Sequence, residues 1–157
     1  LTDSLRQLAA YSPRPLQAEQ AAAALQAQFD TLRQRYRSQP VKRVFLQFGL
    51  SPLFTASGHT LQDEVLRLCK GENIFATASA PWPQVSREQV LLRQPAAVVA
   101  PGDSAHARQI AQFWQPQLTV PIVAINDDWI SRAGPRMILA AQKLCSELAT
   151  VPLPSHS

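Results

Sequence analysis

Cysteine and glycine are scarce, with two and five among 157 residues. There is no Cys-x-x-Cys pair and no histidine close to Cys69 or Cys145, so zinc-site spacing is missing. His59, His106 and His156 are scattered, as ordinary surface residues are. No glycine-rich phosphate loop, Gly-x-Ser-x-Gly elbow, His-Glu-x-x-His or co-located Ser/His/Asp set can be found. These gaps set aside hydrolytic, metalloprotease and phosphate-cradling chemistry, and binding becomes the better expectation than turnover. No apolar run approaches the roughly 18 residues that cross a bilayer, and no charged-apolar-small leader is seen. The chain starts at Leu1 without an initiator methionine, which suits a processed protein and an excised fragment equally.

The length suits one compact domain with an appendage, large enough to bury a core without metals or several disulfides. The 15 basic and 11 acidic residues leave a net charge of +4, and Arg33, Arg35, Arg37, Lys42 and Arg43 crowd together. They lie at the predicted C-terminal end of a helix, where cations complement the dipole. No stacking aromatics or RNA-binding glycine pattern accompanies them, so no nucleic-acid partner is expected and the cluster reads as a solubilising surface.

Ala-Pro-Trp-Pro-Gln-Val-Ser-Arg-Glu-Gln-Val-Leu, from position 80, sets Trp82 between two prolines. Each proline fixes its own φ and pushes the preceding residue towards extended geometry, so the indole is aimed. Trp82 reads either as a presented aromatic or as a half-buried loop residue. Ser86 is a predicted N-cap and Gln89 closes a capping box, starting a helix from Arg87 to about Arg93. Glu88 falls in its first turn, where the macrodipole alone would favour a carboxylate.

Elsewhere, residues 16–37 carry the stripe Ala18, Ala22, Leu25, Phe29, Leu32, Tyr36 at steps of four and three, a long amphipathic helix. Residues 44–48, 96–100 and 120–125 have the profile of core strands, with Pro121 tolerable at a strand start or on an edge. Thr60 is placed to cap a helix that Gly71 ends as its C′ residue, with Cys69 in the last turn. Pro135 suits the first turn of a last helix whose Ile138, Ala141, Cys145 and Leu148 share one face. Strands alternating with helices predict an α/β fold, a three-layer sandwich with a largely parallel central sheet preceded by a long backbone helix.

Loops after strands in such folds gather on one rim. Phe54, Trp82 and the run Asp128, Trp129, Ile130, Ser131, Arg132 all fall in loops of this kind, which predicts an aromatic-lined, polar-tipped surface. Phe54 reads as a pocket wall or a loop anchor. Asp127 and Asp128, adjacent and so pointing apart in extended chain, read as capping and hydrogen-bonding groups. If Cys69 and Cys145 pair, the compartment is oxidising.

Val-Phe-Leu-Gln-Phe-Gly, Gly-Glu-Asn-Ile-Phe, Pro-Trp-Pro-Gln-Val-Ser-Arg-Glu-Gln-Val-Leu, Asp-Trp-Ile-Ser-Arg-Ala-Gly-Pro-Arg and Ile-Leu-Ala-Ala-Gln-Lys-Leu-Cys together resemble the BtuF family of periplasmic vitamin B12-binding proteins, which serve BtuCD-type ABC importers. The likeness runs from near Leu5 to about Val151. It implies a lobe of a class III periplasmic binding protein: residues 1–40 as the interdomain backbone helix region, residues 41–157 as the C-terminal α/β lobe, and the N-terminal lobe absent. By the same resemblance Phe54 and Trp82 lie against the corrin of cobalamin, and Asp128, Trp129, Ile130, Ser131 and Arg132 form its polar edge. Glu88 docks on permease arginines, and Cys69 pairs with Cys145. The resemblance implies no enzyme activity, no cofactor beyond the bound ligand, and a periplasmic location. Two rivals stand beside it: a lobe of a siderophore- or haem-binding relative, and a module that forms a homodimer through a Leu25, Phe29, Leu32, Tyr36 stripe left exposed.

Overall fold

The computed structural model describes residues 15–125 and 135–152. A 22-residue helix, α1 (Pro15–Tyr36), leads into strand β1 (Lys42–Leu46). Then come β2 (Leu53–Phe54), α2 (Leu61–Leu68), β3 (Gly71–Asn73), β4 (Gln84–Val85) and α3 (Arg87–Arg93). The chain continues through β5 (Ala97–Pro101), α4 (Ser104–Trp114), β6 (Ile122–Ile125) and α5 (Pro135–Thr150).

Four strands form one parallel sheet in the order β3-β1-β5-β6, with Val44 beside Asn73 and Ala97, and Val99 beside Val123. The central strand β5 is a short apolar run buried on both faces, as a parallel strand covered by helices must be, and β1 is buried likewise from Val44 to Leu46. Alternate side chains of β1 and β5 divide the core in two. Val44, Leu46, Ala97 and Val99 pack with Phe29 of α1, Leu66 of α2 and Leu144 of α5. Phe45, Val98 and Ala100 face the other way, onto Val90 of α3 and Ile110 and Trp114 of α4. Helices on both faces of a parallel sheet make the three layers expected.

The disulfide forms, Cys69 to Cys145 across 76 residues of chain, and joins the end of α2 to the buried face of α5. Pro121 lies just before β6, an edge strand, where a missing N–H costs nothing, and its carbonyl accepts from Val98 N–H at 3.0 Å.

Several expectations are corrected. Gly71 does not end α2; Lys70 takes the left-handed conformation, at φ 67°, and Gly71 opens β3. A Cβ on Gly71 would sit 2.3 Å from Leu66 Cδ1, so the glycine is needed for close packing. Lys42 is no surface cation. It is 5% exposed and its ammonium donates to the Leu148 carbonyl in the last turns of α5, while burial pushes its pKa down. The stripe on α1 is not free for a second copy, because Leu25, Phe29 and Leu32 are buried in this chain's own core and Tyr36 packs against it.

Candidate functional site

All four strands of the main sheet run the same way, so their C-terminal ends share one rim. β1 is followed by α2 on one face and β5 by α4 on the other, which makes the boundary between these two strands the switch point where a crevice opens. The chain leaving β1 is held there by side chains. Gln47, 1% exposed, accepts from the indole N–H of buried Trp114 at 2.8 Å and donates to the Gly49 carbonyl at 3.0 Å. Gly49 turns at φ 109°, where an added Cβ would lie 2.8 Å from the Pro52 carbonyl oxygen. The turn sends the chain back on itself. Phe48 N–H donates to Phe54 at 2.8 Å and Phe54 N–H to Phe48 at 3.2 Å, so these two aromatics sit opposite each other just beyond β1.

β2 then pairs antiparallel with β4, Leu53 beside Val85 and Phe54 beside Gln84. The pairing continues one-sidedly: Thr55 N–H donates to the Pro83 carbonyl at 3.1 Å and Ser57 N–H to the Pro81 carbonyl at 3.0 Å. Prolines have no N–H to return, so both act only as acceptors. Trp82, between them, is fixed to the rim by its neighbours' carbonyls while its own side chain stays 44% exposed. Its ring meets Phe48 edge to face, centroids 5.1 Å apart at 82°. Phe54 is 37% exposed. The structure thus brings Trp82 and Phe54 together with Phe48 on one shelf. Flat aromatic faces held this way offer apolar area to a planar ligand at little cost in side-chain entropy. Phe48 escaped the sequence reading, where it stood only as the end of a strand; the signal was there in Phe-Gly, an aromatic at the last position before a turn.

β6 ends at Ile125 on the same rim. The polar set expected next, Asp128, Trp129, Ile130, Ser131 and Arg132, lies outside the described residues.

Next to the shelf, α3 has the predicted start. Ser86 Oγ accepts from Gln89 N–H at 3.2 Å and Gln89 Oε1 accepts from Ser86 N–H at 2.9 Å. Arg87 ties the helix to α4, donating to the Phe113 carbonyl at 2.7 Å and Gln117 at 3.1 Å, with its guanidinium 4.4 Å from the Phe113 ring centre. At the other end Arg43 of β1 donates twice to the Arg93 carbonyl, at 2.9 and 2.7 Å. Glu88 is exposed in the first turn of a helix pinned at both ends. Among the described residues no three His, Cys, Asp or Glu side chains converge as a metal ion would require, and no helix is long and apolar enough to cross a membrane.

No protein-family model matches the chain. Vitamin B12-binding proteins of Yersinia pestis and Yersinia pseudotuberculosis are 56% identical to it over 155 residues, 98% of this chain. The chain spans 55% of the length of these curated relatives. Among solved structures, the periplasmic vitamin B12-binding protein BtuF of Vibrio cholerae superposes with a TM-score of 0.77 at 32% identity, over 94% of this chain and 60% of that one. The periplasmic haem-binding protein RhuT of Roseiflexus shares the fold, with a TM-score of 0.74 at 21% identity over 96% of this chain and 62% of that one. These relatives are named for ligands they bind and for no reaction.

Proposed function

The chain belongs to the vitamin B12-binding protein family, of whose curated members it spans about 55%, and on that premise we propose that it is the C-terminal part of a cobalamin-binding protein that feeds an ABC importer in the periplasm. One observation carries the reading: Trp82 is held half-exposed and edge-on to Phe48 at the end of β1, with Phe54 opposite. A corrin is broad, flat and apolar on its faces and ringed by amides. The aromatic shelf supplies the apolar wall. Asp128 and Arg132 supply an acceptor and a donor for the amides, with Trp129, Ile130 and Ser131 beside them.

The ligand lies in a cleft between two lobes joined by a stiff backbone helix, of which α1 is part, residues 1–40 serving as that connection and 41–157 as the lobe. The complex then docks on the permease through Glu88, which offers a carboxylate to arginines on the membrane partner. No bond is made or broken. Haem- or siderophore-binding relatives of the same fold would need a basic rim to match anionic ligands, whereas the Asp128 and Arg132 pair is mixed in sign.

Calorimetric titration of the chain with cyanocobalamin, with haem and a ferric siderophore as controls, tests the reading. Since half of a cleft supplies half of the contacts, we expect cyanocobalamin to bind far more weakly than the nanomolar range. Trp82→Ala is expected to lower that affinity about tenfold or more, about 1.4 kcal/mol. Preference for haem, or a cyanocobalamin affinity indifferent to Trp82→Ala, would overturn it.

A further inference from the structure

At the opposite end of the sheet from the aromatic shelf lies a cavity of about 510 Å³ between the C-terminal turns of α1 and α2. Its walls are Arg33 of α1, Arg37 just past its end, Glu64, Arg67 and Leu68 of α2, and Lys70. We propose that this cavity is a binding site for a phosphate group: a compact, multiply charged oxyanion held by guanidinium forks from two helices and the Lys70 ammonium.

Three observations carry it. Four cations against one carboxylate line the cavity, so like charges are gathered where each raises the cost of the next. The acidic neighbours outside it offset this in part: Asp30 lies 3.5 Å from Arg33 and Asp63 lies 2.9 Å from Arg67. A single cation at the end of each helix would serve the two dipoles; four converging on one cavity exceed that need, and an anion relieves their repulsion.

Second, Lys70 holds its place against its own backbone preference. Its φ of 67° is the left-handed region, in which a side chain other than glycine or asparagine is disfavoured, and such strain collects at ligand sites. A glycine at 70 would relieve it, yet a cation stands there.

Third, the arginines come from two separate places in the fold, Arg33 and Arg37 at the end of α1 and Arg67 on α2. A planar fork pairs well with two oxygens of a tetrahedral oxyanion, and forks from two directions suit an anion with three or four acceptors better than a carboxylate with two. The cavity also falls within the usual size range of small-molecule sites, about 300–1,000 Å³. Its distance from the shelf makes it independent of cobalamin capture.

The experiment titrates the chain with inorganic pyrophosphate at fixed ionic strength, with chloride as the control anion. A second arm sediments the chain with phosphatidylcholine vesicles with and without phosphatidic acid, which separates a free phosphate compound from a lipid headgroup. We expect saturable one-to-one binding in one of these arms, weakened at least tenfold by Arg67→Gln and by Lys70→Gly. Lys70→Gly supplies the control against misfolding, because release of the left-handed strain is expected to raise the anion-free Tm by about 2–4 °C while binding is lost. Loss of binding with a raised Tm supports the site. Binding that chloride reproduces at the same ionic strength, that is unchanged in both variants, or that is absent from both arms overturns it.

Discussion

Lys70 and Gly71 exchange the roles that local rules assign them. A glycine two positions past a helix end is the usual left-handed cap, yet here Lys70 holds that position and bends, and the glycine one further on is spent on contact with Leu66. Its close approach to Leu66 explains why the glycine stands at 71. Gly71→Ala is therefore expected to lower stability by about 1–3 kcal/mol, the cost of forcing a methyl into a filled core, read as a lower urea midpoint with an unchanged m-value. Lys42 teaches the same lesson: charge runs look alike in sequence, but one of five is buried and donates to a helix carbonyl. Phe48, unlike Trp82, carries no flanking prolines to announce it, and its part in the shelf depends on a turn that Gln47 holds and that Trp114, far away in the chain, secures by donating to Gln47.

Among the elements, α3 is the one most completely written in its own residues. A seven-residue helix is too short to persist alone in water, so its caps and its clamps to Phe113 and Arg93 must supply what length does not. Ser86→Ala opens the capping box. It should cost about 0.5–2 kcal/mol of stability and speed amide exchange at Gln89, whose N–H the serine oxygen receives. Unchanged exchange there would show that the clamps alone hold the helix start. β3 and the small β2-β4 sheet were invisible beforehand, because strands of three or two residues have no periodicity to read. Even the Pro-Trp-Pro segment, conspicuous as sequence, does not reveal that its proline carbonyls take up the N–H groups of Thr55 and Ser57.

For the whole molecule, the largest difference concerns α1. Its apolar stripe is legible at a glance, and the same spacing serves a dimer seam or an intramolecular core. The structure resolves the ambiguity: Phe29 is fully buried between α1 and the sheet, alongside Leu144 and Leu148 of α5. Phe29→Ala is expected to cost about 3–5 kcal/mol in thermal or urea unfolding, as cavities in cores do. Sedimentation velocity of the wild-type chain should meanwhile show a monomer at every concentration; a concentration-dependent dimer abolished by Phe29→Ala would return the stripe to an intermolecular role.

By itself the sequence determined the layered α/β class, the long first helix, the caps at Thr60 and Ser86, and the aiming of Trp82, since period and local hydrogen-bonding chemistry are properties of neighbours in the chain. The pairing of Cys69 with Cys145 came from family resemblance and is present in the structure. Tertiary structure alone decided the strand order, the place of Phe48 beside Trp82, the burial of Lys42 and of the α1 stripe, and the convergence of Arg33, Arg37, Arg67 and Lys70 on one cavity. Each of these joins residues distant in sequence, and which of many equally apolar or equally charged partners meet is settled only when the layers close on one another.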